Sequence, residues 1–187
     1  RKARQLADEL GVELVFFRPP VLLGPGDHRF RSTSNIIRML RGRLPFLIQG
    51  GMHFIDIRDA IRATWRAMEI PAPQPVYHLA GYDSSIQQFF AMVEEVSGVR
   101  APRRILPHSV AKVIAGADEW LGMRLKGEPL HFFPGPVVIE MARYYWGLKS
   151  LYAESDLGYV SRDPGETLRD TVDWLRANHP KLQPAND

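Results

Sequence analysis

The chain has 187 residues, 45% of them hydrophobic and 24% charged, with a formal net charge of +3; these values fit one soluble globular domain with a sizeable core. It contains no cysteine, which excludes disulfides, thiolate metal sites and cysteine nucleophiles and agrees with a reducing, cytoplasmic setting. Basic residues are spread along the sequence apart from short clusters such as Arg38-Met39-Leu40-Arg41-Gly42-Arg43, so the charge reads as a solvated face and no nucleic-acid partner is expected.

No apolar run reaches the ~20 residues of a bilayer span, and the first ten residues lack the apolar core of a secretion signal. Those residues read instead as the middle and end of a helix, with Leu6 and Leu10 four apart and Gly11 at its C′ position. With no initiator Met and no N-cap, the chain is expected to begin inside an element of a longer protein. The run Val12-Glu13-Leu14-Val15-Phe16-Phe17 follows directly, and a helix, a glycine and a β-branched aromatic run make half of a βαβ unit in a parallel sheet. Pro19 and Pro20 remove two ladder donors and push their predecessors from the α region. The strand is therefore expected to end there and pass into an irregular loop leaving through Gly24-Pro25-Gly26, at the carboxyl end where open α/β sheets bind ligands.

Farther on, a helix is predicted from about Ser34 to Arg43 and a short strand pair between Pro45 and Ile57. Ile57, Ile61, Thr64/Trp65 and Met68 mark one face of the next helix, with Asp59 placed to cap it. After the stiff Pro71–Pro75 loop, Val76-Tyr77-His78-Leu79-Ala80 reads as a second buried strand closed by Gly81. Ser84 with Gln87 forms a capping box for a helix whose apolar face is Ile86, Phe89/Phe90, Val93 and Val96, ended by Gly98.

Beyond Gly98 the chain reads as helical and punctuated by prolines. Val110, Val113, Ile114, Ala117 and Leu121 form one stripe; Val137, Val138, Met141 and Tyr144/Tyr145 form another. Trp120 and Met123 would suit a membrane surface, but Asp118 and Glu119 would repel anionic lipid, so packing inside a helical lobe is the expectation and a membrane role is not. A last helix is capped by Asp163 with Glu166 three residues on, carries Leu168, Val172 and Leu175, and stops before Pro180. The whole reads as α/β, part of a sheet plus a mostly helical lobe.

The six histidines are isolated, so no metal site is expected. Neither a Gly-x-Ser-x-Gly elbow, a P-loop nor a Gly-x-Gly-x-x-Gly fingerprint occurs. Gly24-Pro25-Gly26 does not substitute for one, because its proline lacks an amide that a phosphate would need. Asp56 and Asp59 are close in sequence, with Asp59 expected to cap a helix and not to pair for acid/base work.

Four segments, "GVELVFFRPPVLLGPGD", "FIDIRDAIRATWRAME", "PVYHLAGYDSSIQQFFAMVEEVSGV" and "LGYVSRDPGETLRDTVDWL", resemble in order and spacing the C-terminal half of the extended short-chain dehydrogenase/reductases, the NAD-dependent epimerase/dehydratase superfamily. The resemblance runs from Leu6 to about Leu175 and points to the dihydroflavonol-reductase-like and 3β-hydroxysteroid-dehydrogenase-like branch. It implies the C-terminal part of a Rossmann-type parallel sheet, residues 1–83 with interleaved lobe segments, followed by a substrate-binding helical lobe over 84–187. It further implies that Pro19, Pro20 and Val21 line a nicotinamide pocket, and that His28, Arg29 and Phe30 face substrate together with Met52 and His53.

The family's Tyr-x-x-x-Lys pair and glycine-rich phosphate loop would precede Arg1, so no catalytic residue is expected in this chain. Lys2, only nine residues before Gly11, is assigned to the surface. Nucleotide-sugar members often carry an arginine two residues before the Phe of "FIDI"; here Met52 stands there, which turns the expectation toward a less charged, sugar-, polyol- or terpenoid-like substrate. Arg58 is expected to make a structural ion pair. The implied function is the C-terminal portion of an NAD(P)-dependent oxidoreductase or epimerase acting on a carbonyl or carbinol carbon. The alternative is a non-catalytic nucleotide-sensing or interaction module of the same fold. NAD or NADP is the expected cofactor, held with an N-terminal half, and the expected partners are a small-molecule substrate and either a second copy or that half.

Overall fold

A computed structural model describes residues 2–126, 136–144 and 147–182. Helix α1 (Lys2–Leu10) buries none of its residues and ends at Gly11, whose φ of 63° suits a residue without Cβ. Strand β1 (Phe16–Arg18) stops at the first proline. The irregular loop expected next is instead interrupted at once by β2 (Val21–Leu23). A proline without an N–H is tolerated just before a strand begins, and Leu23, 2% exposed, anchors the new strand in the core. The proline pair is thus a switch between sheets: β1 pairs in parallel with β5 (Val76–His78), Phe17 opposite Tyr77, whereas β2 pairs in parallel with β4 (Gly51–Asp56), Leu22 opposite Ile55.

Helix α2 (Ser34–Leu40) buries Ile36, Ile37 and Met39 and closes before Arg43, because Gly42 turns left-handed and donates to the Met39 carbonyl. The strand pair expected between Pro45 and Ile57 is two strands with different partners. β3 (Leu47–Ile48) pairs with β7 (Ile105–Leu106), and β4 lies between β2 and the antiparallel β6 (Tyr82–Ser85).

Helix α3 (Ile57–Glu69) is capped by Asp56, not Asp59: the Asp56 carboxylate accepts the Arg58 amide at 2.8 Å. Its buried side is Asp59, Ala60, Ala63 and Ala67, while Ile61, Trp65 and Met68, expected inside, are exposed. Small alanines let the helix approach Tyr77, Leu79 and Ala153, which a stripe of large residues would hold off. Helix α4 (Ile86–Ser97) has its capping box one residue later than expected, at Ser85 and Gln88, and ends as expected at left-handed Gly98. Phe89, Phe90 and Val93 meet Leu168, Val172 and Leu175 of α8 (Pro164–Asn178) over Leu23 and Phe54, forming the larger core. Asp163 caps α8 through the Glu166 amide, as its sequence indicates.

The smaller core lies between α3 and α7 (Leu151–Leu157), around Ile55, Tyr77 and Tyr159. Helices α5 (His108–Lys126) and α6 (Pro136–Ala142) meet through Ala111, Ala115 and Ile139. The stripes expected to be buried on them turn outward: Val113 is 73% and Val137 72% exposed, with Met141 and Tyr144 also exposed. Tyr145 lies outside the described residues, as does the side chain of Val138. No described helix is long and apolar enough to cross a membrane.

Candidate functional site

At the carboxyl end of the parallel β1–β5 pair, Leu79 donates its amide to the Arg18 carbonyl at 3.3 Å, one residue before Pro19. Pro19 is exposed, and Pro20 and Val21 are half-buried. The β2–β4 ladder starts with Val21 opposite Phe54, so Pro20 enters at the end of the sheet where Met52 and His53 precede Phe54. Continuing that register sets Pro20 level with His53, while Val21 and Met52 both pack against the larger core.

His28, Arg29 and Phe30 are not part of that group. They lie past the other end of β2, beyond Gly24, whose φ of 124° and whose approach to Ile57 (a Cβ would come within 2.8 Å of its Cγ2) require glycine. Asp27 folds this loop by accepting the Thr33 amide at 3.1 Å, the Thr33 hydroxyl at 3.0 Å and the Arg31 amide at 3.3 Å. Phe30, at φ 51°, is held in the left-handed region. The His28 ring meets Trp174 edge-on at 5.4 Å, and Phe30 packs on Trp174 at 5.9 Å and on His179 at 4.6 Å. The loop is docked on α8, with Arg29 exposed.

His53 is buried at 6% exposure. Its Nε2 accepts the Gly81 amide at 2.8 Å, and its Nδ1 lies 3.1 Å from Asp83 Oδ1. Burial lowers its pKa and outweighs the opposing charge of Asp83. With Nε2 accepting an N–H, the ring pins Gly81, where any side chain would strike the Phe54 carbonyl. Met52 is half-buried opposite Ser84, whose hydroxyl donates to the Met52 carbonyl at 3.4 Å.

The carboxylates of "FIDIRD" are structural. Asp56, 1% exposed, accepts Arg58 Nε at 2.8 Å and Nη2 at 2.6 Å, and Arg58 Nη1 reaches Asp170 at 2.7 Å. Burial alone would raise the Asp56 pKa, but the bonds from Arg58 prevail and hold it below the usual range, while Asp56 and Asp170 raise that of the guanidinium. Asp59 accepts the Arg162 amide at 2.7 Å, and Arg162 pairs with Glu166 at 2.5 Å. Together these pairs tie β4 and α3 to α8.

The sequence did not point to one cavity. A cleft of about 510 Å³ opens beyond β5, lined by Ala80, Gly81, Ser150, Glu154, Tyr159 and Ser161 among others, and none of the cofactor- or substrate-binding residues expected from sequence lines it. The Tyr159 hydroxyl donates to the Ala80 carbonyl at 2.7 Å; burial and then the charge of Asp59 push its pKa up to about 12. The signal available was Gly158-Tyr159, a left-handed cap followed by a buried aromatic, on a helix too short to show a period.

No family model matches the chain. A putative dihydroflavonol 4-reductase of Synechocystis sp. is 25% identical over 178 residues, covering 92% of this chain and 51% of that protein. Sterol demethylase protein B of Methylococcus capsulatus is 26% identical over 173 residues, covering 89% and 51%. The chain spans about half the length of the curated relatives it matches. A nucleoside-diphosphate-sugar epimerase from Pseudomonas aeruginosa superposes with a TM-score of 0.73 at 24% identity, covering 95% of this chain and 52% of that one. UDP-glucuronic acid 4-epimerase from Bacillus cereus, in complex with NAD, gives 0.62 at 16%, covering 98% and 50%. The fold is therefore the Rossmann-like α/β architecture of the NAD-dependent epimerases and dehydratases. Of the two sequence relatives, the one named a putative dihydroflavonol 4-reductase agrees with the resemblance of the four segments.

Proposed function

We propose that this chain is the substrate-shaping, C-terminal part of an NAD(P)-dependent oxidoreductase or epimerase of the extended short-chain type, acting on a carbonyl or carbinol carbon of a weakly charged sugar-, polyol- or terpenoid-like compound. The observation that carries the reading is the sheet switch at Pro19–Pro20. Two ring-locked residues at the carboxyl end of a parallel strand give a rigid, donor-poor wall beside Met52, which is what a flat nicotinamide ring requires of one side of its pocket. The proton-transfer residues and the pyrophosphate loop would be supplied from sequence preceding Arg1, and the nicotinamide would supply the hydride acceptor or donor. Met52, a thioether where a guanidinium would clamp a diphosphate, supports the weakly charged substrate, as do relatives named for a dihydroflavonol and a sterol.

The test is a titration of NADH and NADPH by fluorescence, with the chain alone and with the protein that carries it behind the upstream residues. The longer protein should bind in the micromolar range and turn over carbinols with a change in nicotinamide absorbance; the chain alone should not bind. Pro20→Gly should raise the Kd for the nucleotide severalfold, and Met52→Arg should shift preference toward nucleotide-sugars. Failure of the longer protein to bind either nucleotide would overturn the proposal and favour an interaction module.

A further inference from the structure

Helix α5 is amphipathic in the reverse of the usual sense. At about 100° per residue, Ala111, Ala115 and Gly122 fall on one narrow side, and this side is buried. The opposite arc, about half the circumference, holds Met123, Trp120, Val113, Val110, Leu121 and Ile114, each 37% exposed or more. Such a contiguous apolar face exceeds what scattered surface hydrophobics explain.

The charges on α5 say what covers it. The outward arc carries one ionised group, Arg124, whose guanidinium lies over the Trp120 ring at 5.4 Å. Asp118 and Glu119, which the sequence suggested would repel lipid, flank the packed side: Asp118 is half-buried at one edge and Glu119 lies at the other. On the neighbouring α6, Glu140 is engaged by Lys112 at 3.2 Å, with His108 and Arg143 each at 3.8 Å. Among the described residues no carboxylate stands on the arc to meet Arg124. Pairing this face with a second copy would bury that guanidinium beside apolar side chains without an anion. A phospholipid surface meets both needs, since acyl chains accept the valines and leucines while Arg124 and Trp120 reach the phosphate level.

We propose that α5 is an interfacial helix that docks the protein on an anionic phospholipid membrane, lying in the surface plane with the Val113–Trp120–Arg124 side immersed. The net charge of +3 acts in the same direction. The proposal does not depend on the oxidoreductase reading.

Flotation of the purified chain with vesicles of phosphatidylcholine containing a minority of phosphatidylglycerol tests it. The chain should float with these vesicles, more weakly with phosphatidylcholine alone, and less as salt rises. Val113→Asp combined with Trp120→Ser should lower the bound fraction about tenfold with an unchanged circular dichroism spectrum, because both side chains are exposed and lie outside the core. Arg124→Glu should weaken binding to the anionic vesicles more than to the neutral ones. The proposal is overturned if wild type and double variant float equally, if Trp65→Asp on α3 abolishes flotation while the α5 variants do not, or if the chain is a dimer that Val113→Asp dissociates.

Discussion

Asp56, close in sequence to Asp59, is a structural residue in space. Its carboxylate is fully buried and held by the fork of Arg58, itself a third exposed. Removing the guanidinium strands a buried charge, so Arg58→Ala should cost about 3 kcal/mol in urea unfolding. Asp170→Asn, at the more exposed end of the same arginine, should cost under about 1 kcal/mol. Because Asp56 has a lowered folded pKa, its contribution is present above the unfolded value of about 3.9 and is lost as pH falls through the folded value. In Arg58→Ala that acid-side loss should shrink, since the pKa is no longer held down.

His53 acts in a different pH window. Its folded pKa is also lowered, so below about 6.5 the unfolded chain takes up the proton more readily, and stability falls from there down to the folded value. His53→Gln, which keeps an acceptor for the Gly81 amide but does not titrate, should flatten the stability profile on the acid side of about pH 6.5. Proton uptake on unfolding that is equal in both proteins would refute this. The residue pairs behind these effects are separated by up to 112 positions, as between Arg58 and Asp170. Sequence could offer an ion pair for Arg58 but not name its second partner, nor show that His53 faces Gly81.

At the scale of elements, caps and glycine stops were legible and burial faces were not. Gly11, Gly98 and Asp163 work through backbone within four residues of themselves, and such local chemistry reads directly from sequence. Faces depend on what arrives from elsewhere. On α3 and α5 the packed side is alanine and glycine because another element comes close, and ranking residues by hydrophobicity selects the opposite side. The capping box of α4 shows the limit of register: Ser84 and Ser85 both fit the pattern, and β6 pairing through Ser85 decides between them. Ser85→Ala should therefore cost about 1 kcal/mol and Ser84→Ala a few tenths, a difference readable in thermal melts. Equal losses would place the cap one residue earlier. That β1 ends at Pro19–Pro20 followed from the missing donors, but that Val21–Leu23 resumes as a strand of another sheet depended on β4 being there to receive it.

At the scale of the whole molecule, the β1–β5 pair is too small to be self-sufficient. Among the described residues β1 has no ladder partner other than β5, and two three-residue parallel strands leave a row of amides and carbonyls open on the free side. Helix α1 buries none of its own residues and reaches β1 through Arg4, whose guanidinium lies 5.5 Å from the Phe16 ring centroid, and α3 presents Ile61, Trp65 and Met68 to solvent at i, i+4 and i+7. An open parallel edge and an apolar helix face are each stabilised by burial, and among the described residues nothing pairs with the free edge of β1 or covers the exposed side chains of α3. The isolated chain should therefore sediment at micromolar concentration as a species heavier than a monomer, through this end of the sheet and not through α5. Trp65→Asp with Met68→Asp should move it toward the monomer without altering its helix content, since both residues are exposed. Val113→Asp should leave the association unchanged. A monomer at every concentration tested would mean that water satisfies the β1 edge adequately and that the outer face of α3 needs no cover.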